Sequence, residues 1–171
     1  MKTNACIPVN KICTTILLLL VVLINGCQKD DTQDEPKVVS YADLSLANIK
    51  AKEAQMSVAP LVISNSGGIY FKAGDILFYK TSLGNFGKME VISVDQADNY
   101  KLTFKAVTYK TDGTILSSCT TLSIRGTWLC DLDTMTEVEE DGTQDFWVER
   151  VTPTDTNLEP KINSIFVRFT N

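Results

Sequence analysis

The feature that most constrains this chain is a run of strict alternation near its middle. Tyr100, Leu102, Phe104 and Ala106 share one parity, and Lys101, Thr103 and Lys105 share the other. A period of two suits a pleated strand with one dry face and one wet face; an amphipathic helix needs a period near 3.6. A strand half-buried in this way belongs to an antiparallel sheet. The stretch from Tyr100 to Tyr109 is also bracketed by turn formers. Asp95-Gln96-Ala97-Asp98-Asn99 precedes it, and Thr111-Asp112-Gly113-Thr114 follows, with the glycine free to take positive φ.

The same reading extends along the chain. Leu61–Ile63, Ile69–Phe71, Ile76–Thr81, Lys88–Val94, Phe146–Val151 and Ile165–Phe169 are short stretches of strand formers between Gly-, Asn-, Asp- and Ser-rich breaks. Strands at spacings of about ten residues, with no long helices between them, predict an all-β chain: a single antiparallel β-sandwich or barrel-like domain. Tyr41 to Met56 is mixed. It holds helix formers from Ala47 to Gln55, and one short N-terminal helix near Asn48–Gln55 is expected. Beyond Thr114 the chain resumes at Ile115. Leu122, Ile124, Gly126, Trp128, Cys130 and Leu132 keep one parity, which predicts one long strand with a bulge at Gly126.

The N-terminus reads differently. Lys2 and Lys11 are the only charges before Lys29, and an apolar stretch of 13 residues runs from Ile12 to Ile24. As a helix that stretch is roughly 20 Å long, short of the ~30 Å hydrocarbon core, so it suits a signal-peptide core better than a permanent span. Ile24-Asn25-Gly26-Cys27 follows directly. This tetrapeptide resembles the lipobox of bacterial lipoproteins, with Gly26 fitting well and Asn25 departing mildly from the usual Ala or Ser. The resemblance implies cleavage before Cys27, a diacylglyceryl group on the Cys27 thiol and an acyl chain on its new amine. One acyl chain holds a protein to a membrane only marginally, whereas several hold it stably.

The resemblance divides the chain into a cleaved signal peptide (1–26), a lipidated acidic tether (27–38) and one β-rich domain (39–171). Gln28-Lys29-Asp30-Asp31 looks like the export signal of lipoproteins that Gram-negative bacteria display on their outer leaflet, and the expected location is the outer membrane at the cell surface. The tether has no aromatic residue to bury, and its acids keep it in water.

Composition narrows the function. The chain has 16 Lys+Arg against 21 Asp+Glu, a net charge of −5, and no histidine. A negative chain disfavours nucleic acid as a partner, and the lack of histidine removes the commonest general base and zinc ligand. No G-x-S-x-G, G-x-G-x-x-G or C-x-x-C motif occurs, and Gly87-Lys88 lacks the context of a phosphate loop. The expectation is a non-enzyme without a cofactor.

Carboxylates leave two alternatives open. Asp131, Asp133 and the acids from Glu137 to Asp145 could offer oxygen ligands to calcium, although no EF-hand spacing is present and a solvated loop explains them as well. A paired Asp/Glu set could serve a small glycoside hydrolase.

Trp128 and Trp147 are the remaining candidates. Trp128 shares the parity of Ile124 and Leu132 and is expected in the core. Trp147 is offset by one from Phe146, so if Phe146 takes the core Trp147 faces outward, as a candidate ligand contact. Cys119 and Cys130 remain after the leader is removed. A hairpin centred between Ile124 and Arg125 would pair them in a disulfide. One strand running through Gly126 would hold them too far apart, and the alternation favours this second arrangement. The function these features suggest is a binding or envelope-accessory module for a glycan or protein ligand, with a purely structural envelope role as the alternative.

Overall fold

The computed structural model of the chain describes residues 39–170. The expected signal peptide, the expected lipidation site at Cys27 and the acidic tether read from the sequence lie outside the described residues. The remainder is an antiparallel sandwich of two sheets, as the strand spacing predicts. Eleven strands follow a short N-terminal segment: β1 (Leu61–Asn65), β2 (Gly68–Ile69), β3 (Ile76–Lys80), β4 (Phe86–Asp95), β5 (Lys101–Tyr109), β6 (Ile115–Ile124), β7 (Leu129–Asp131), β8 (Thr136–Val138), β9 (Phe146–Arg150), β10 (Thr156–Pro160) and β11 (Ile165–Phe169). One sheet has the order β2-β1-β10-β9-β7-β8 and the other β11-β3-β4-β5-β6.

The core lies between the sheets. Leu77, Tyr79, Met89, Leu102 and Phe104 from the five-stranded sheet meet Ile63, Cys130, Phe146, Val148 and Leu158 from the six-stranded one. In β5 the alternation is realised in part: Leu102, Phe104 and Ala106 are buried, as is Tyr100 just before the strand, and Lys101 and Lys105 keep partial contact with water, but Thr103, expected on the wet face, is buried with its hydroxyl bonded to Ser123. β3 reads Ile-Leu-Phe-Tyr with no alternation because both of its faces are covered. Leu77 and Tyr79 face the sandwich interior, whereas Ile76 and Phe78 pack under the N-terminal segment with Leu44, Ile49, Met56 and Phe86.

That segment holds one α-helix, α1 (Leu46–Lys50), capped by Ser45, whose hydroxyl accepts the N–H of Asn48. It starts two residues earlier than expected and stops at Lys50; a separate 3-10 turn, Glu53–Gln55, takes the remainder. The buried Lys88 clips the segment to the sheet. Its ammonium donates to the carbonyls of Tyr41 (2.6 Å) and Leu44 (2.5 Å) and lies 4.3 Å from the Tyr41 ring centre. Burial lowers its affinity for the proton.

The long strand expected from Ile115 to Leu132 does not form. β6 ends at Ile124 in the five-stranded sheet, and β7 starts at Leu129 in the other. The cause is local. Gly126 passes so close to the β4–β5 turn that a Cβ there would sit 1.7 Å from the Asn99 carbonyl oxygen, and Thr127 takes φ 72° as the chain turns away. A bulge and a crossing have the same sequence signature at this glycine. β8 and β10 have no counterpart in the sequence reading.

Candidate functional site

Trp147 lies in β9 between Phe146 and Val148, both fully buried, and is itself half-buried on the opposite face of the sheet. The register sets its neighbours. Leu129 of β7 and Glu159 of β10 stand opposite it, and Val138 of β8 stands opposite Leu129. One row, Val138-Leu129-Trp147-Glu159, therefore crosses the outer face of the six-stranded sheet. Lys161, just past β10, swings over this row. Its ammonium is 4.8 Å from the Trp147 ring centre and 2.9 Å from the Glu159 carboxylate.

Trp147, Leu129, Thr127, Glu140 and Lys161 line a cleft of about 270 Å³. A second depression of about 260 Å³ adjoins it, sharing Thr127, Leu129 and Glu140 and walled by Trp128 and Val138. Trp128 packs against the core cluster, as its parity suggested, but is only partly buried there. The sheet crossing at Gly126 breaks that parity and leaves the indole half-buried at the rim, with the Arg125 guanidinium stacked 3.5 Å from its ring centre. Each indole carries one cation on one face and lines one of the two adjoining depressions. Arg125 is in turn held by Glu137, both at its backbone N–H (2.7 Å) and at its guanidinium (2.6 Å).

Beside this groove the Glu149 and Glu159 side chains interact electrostatically. The interaction raises the Glu149 carboxyl above its ordinary range and lowers Glu159, which Lys161 lowers further.

The acidic segment splits into two kinds of residue. Glu139, Glu140 and Asp141 are exposed, as a solvated loop would be. Asp131 and Asp145 are instead buried, and the carboxylate oxygens of Asp131, Asp133 and Asp145 lie within 4.8 Å of one another. Half of these oxygens serve the backbone. Asp145 accepts the N–H groups of Ser82 (2.7 Å) and Leu132 (2.8 Å), and Asp131 accepts those of Asp133 and Thr134. Asp133 accepts Thr81 and Asn85 on one oxygen, and its other oxygen is buried without a hydrogen-bond partner. Burial raises the Asp133 carboxyl, and it lifts Asp145 to about 6 against the pull of its two backbone donors.

Oxygen-only donors of this kind suit a hard cation such as Ca²⁺ in character. Three carboxylates with several oxygens already bonded to the backbone supply fewer than the 6–8 ligands Ca²⁺ takes. The cluster also reaches the groove, since the Asp145 carbonyl accepts the backbone N–H of Lys161 (2.8 Å).

Cys119 and Cys130 are free thiols, placed in β6 and β7 on different sheets. Both are raised above the ordinary thiol range by burial, Cys130 the more strongly.

Lys161 and Glu159 were missed by the sequence reading because β10 was. Thr156-Asn157-Leu158-Glu159-Pro160 looks like a loop by composition, yet its burial alternates strictly. The period-two signal was present in Thr156, Leu158 and Pro160, hidden by residue types that favour turns. Comparison of the chain with protein-family models, characterised proteins and solved structures gives no match in any of the three.

Proposed function

We propose that this chain is a lipoprotein of the bacterial outer membrane, displayed at the cell surface through lipids on Cys27, and that its β domain is a non-enzymatic module that binds glycans. The observation that carries the reading is the pair of half-buried indoles, Trp147 and Trp128, each lining one of two adjoining depressions that share Thr127, Leu129 and Glu140. A sugar ring offers an apolar C–H face for stacking and hydroxyls at its edge. Aromatic side chains supply the first partner, and Lys161, Arg125 and Glu140 supply donors and acceptors for the second. The groove is shallow and small beside the ~300–1,000 Å³ of pockets that enclose drug-sized ligands, which favours one or two rings of a longer chain lying across it. Lipid anchoring supports this reading, because many weak contacts to an extended polymer add up when the modules share one membrane.

The experiment is a titration of the full chain, in detergent, with polysaccharides from envelope and host sources, read by tryptophan fluorescence. A glycan that shifts the emission of the wild type but not of Trp147→Ala or Trp128→Ala, with both variants folded, supports the reading. Absence of any fluorescence response across the polysaccharides removes it and leaves the structural envelope role. In parallel, Cys27→Ser should move the protein from the membrane to the soluble fraction, since among the described residues no helix is long and apolar enough to cross a membrane.

A further inference from the structure

Three of the four sheet edges are blunted. β2 is two residues long. β8 has three and carries Glu137. β11 is bridged by Ser57, which exchanges two backbone hydrogen bonds with Phe166, and it carries Arg168, paired with Asp75. Short strands, charges and covering segments are the devices by which sheet proteins prevent edge-to-edge pairing.

β6 is the exception. It runs for ten residues, Ile-Leu-Ser-Ser-Cys-Thr-Thr-Leu-Ser-Ile, without a charge or a proline. Two bulges against β5 twist it, but it pairs only with β5; β8 of the other sheet packs near it, and among the described residues no strand is hydrogen-bonded along its outer edge. Every second N–H and C=O along that edge points away from the sheet. Ile115, Leu116, Ser118, Thr120 and Thr121 are exposed beside these groups.

We infer that β6 is a homodimer edge, on which a second copy of this chain lays its own β6 antiparallel, joining two five-stranded sheets into one. The free backbone groups call for an extended strand, because only a strand returns donors and acceptors at the same spacing. Three features make that strand another β6. The chain as a whole is negative and repels its own copies, but β6 brings no charge to the contact. Antiparallel self-pairing centred on Cys119 sets Ser118 against Thr120 and Ser117 against Thr121, favourable cross-strand combinations. It also brings Asp112, in the turn before β6, to the same end as Arg125 of the other copy, whereas parallel pairing would set Arg125 against Arg125. A charged peptide finds no complement on this strand.

The test is the mass of the full chain in detergent, measured by sedimentation and light scattering with the detergent subtracted. The wild type should have twice the chain mass. Ser118→Lys/Thr120→Lys places like charges on both copies and should give a monomer with unchanged circular dichroism and melting temperature. If the double variant does not fold, Thr121→Lys alone, at another exposed position of the strand, should do the same. A monomeric wild type overturns the inference and leaves the edge to another protein's strand. A dimer that persists in folded lysine variants also overturns it, because the association then lies in the lipid anchor or another surface. Open-ended fibres of the wild type overturn it too, since a two-fold pairing closes.

Discussion

The ammonium of Lys161 sits 4.8 Å from the centre of the Trp147 indole and 2.9 Å from the Glu159 carboxylate. Trp147 therefore has a cation on one side and the groove on another, although it is adjacent in sequence to the fully buried Phe146. The contact should be worth about 0.5–1 kcal/mol at a partly exposed site. The position of Lys161 depends on β10 and on the Asp145 carbonyl that holds its backbone, so the groove is built from residues distant in the chain.

Phe146 and Trp147 should separate in a thermal melt. Phe146→Ala removes a fully buried ring from the centre of the core and should cost about 3–5 kcal/mol. Trp147→Ala, on the outer face, should cost about 1 kcal/mol. Equal and large losses would place Trp147 among the core residues and take it out of the groove.

Gly126→Ala should be among the most damaging small substitutions in the chain. The added methyl would meet the Asn99 carbonyl oxygen at 1.7 Å, and a backbone atom cannot rotate away. Asn99 is fixed in turn, because its side chain donates to the Gly126 carbonyl and Arg150 donates to it. Overpacking of this kind costs about 1–3 kcal/mol or more. Gly87→Ala should also destabilise, since the Tyr79 ring lies 2.2 Å from the position its Cβ would take and is tied to Thr108. Melts of the two variants against wild type check both.

Asp145 gives a pH dependence of definite sign. Its folded carboxyl titrates at about 6 against an ordinary 3.8, so between these values the folded chain binds more protons than the unfolded chain. The stability this group confers is complete below about pH 4 and declines as pH rises through 6, by about 3 kcal/mol in all. Asp145→Asn cannot ionise, so the stability of wild type minus variant should fall over that window in denaturant titrations. A difference that rises with pH would mean that the two backbone donors outweigh burial.

The thiols should differ in reactivity. Cys119 is half-buried in β6 and Cys130 is fully buried in β7. An alkylating reagent should modify Cys119 in the folded chain and Cys130 only with unfolding, each traced by peptide mass spectrometry. A Cys119–Cys130 crosslink in unreduced protein would contradict the separation of the two strands.

What the sequence determined by itself is local. Alternation in β5 set its buried face, because side chains on a strand must point to opposite sides. The same rule, applied to two adjacent letters, put Trp147 opposite Phe146. The turn residues at Asp112-Gly113 ended β5 where the hairpin ends it. What the tertiary structure decided is everything that depends on which strand lies beside which. Parity carried Trp128 and Cys130 along one imagined strand, whereas the chain changes sheets at Gly126 because a distant turn, at Asn99, occupies the space a side chain would need. Loop-like composition concealed β10, whose strand form comes from being paired on both sides by β1 and β9. Asp131, Asp133 and Asp145 read as solvated acids, and only tertiary contacts bring them together and bury Asp131 and Asp145. Lys161 acquires its place over Trp147 by the same route. A local pattern reports the faces of a strand, but the neighbours those faces meet come from contacts between residues far apart in the chain.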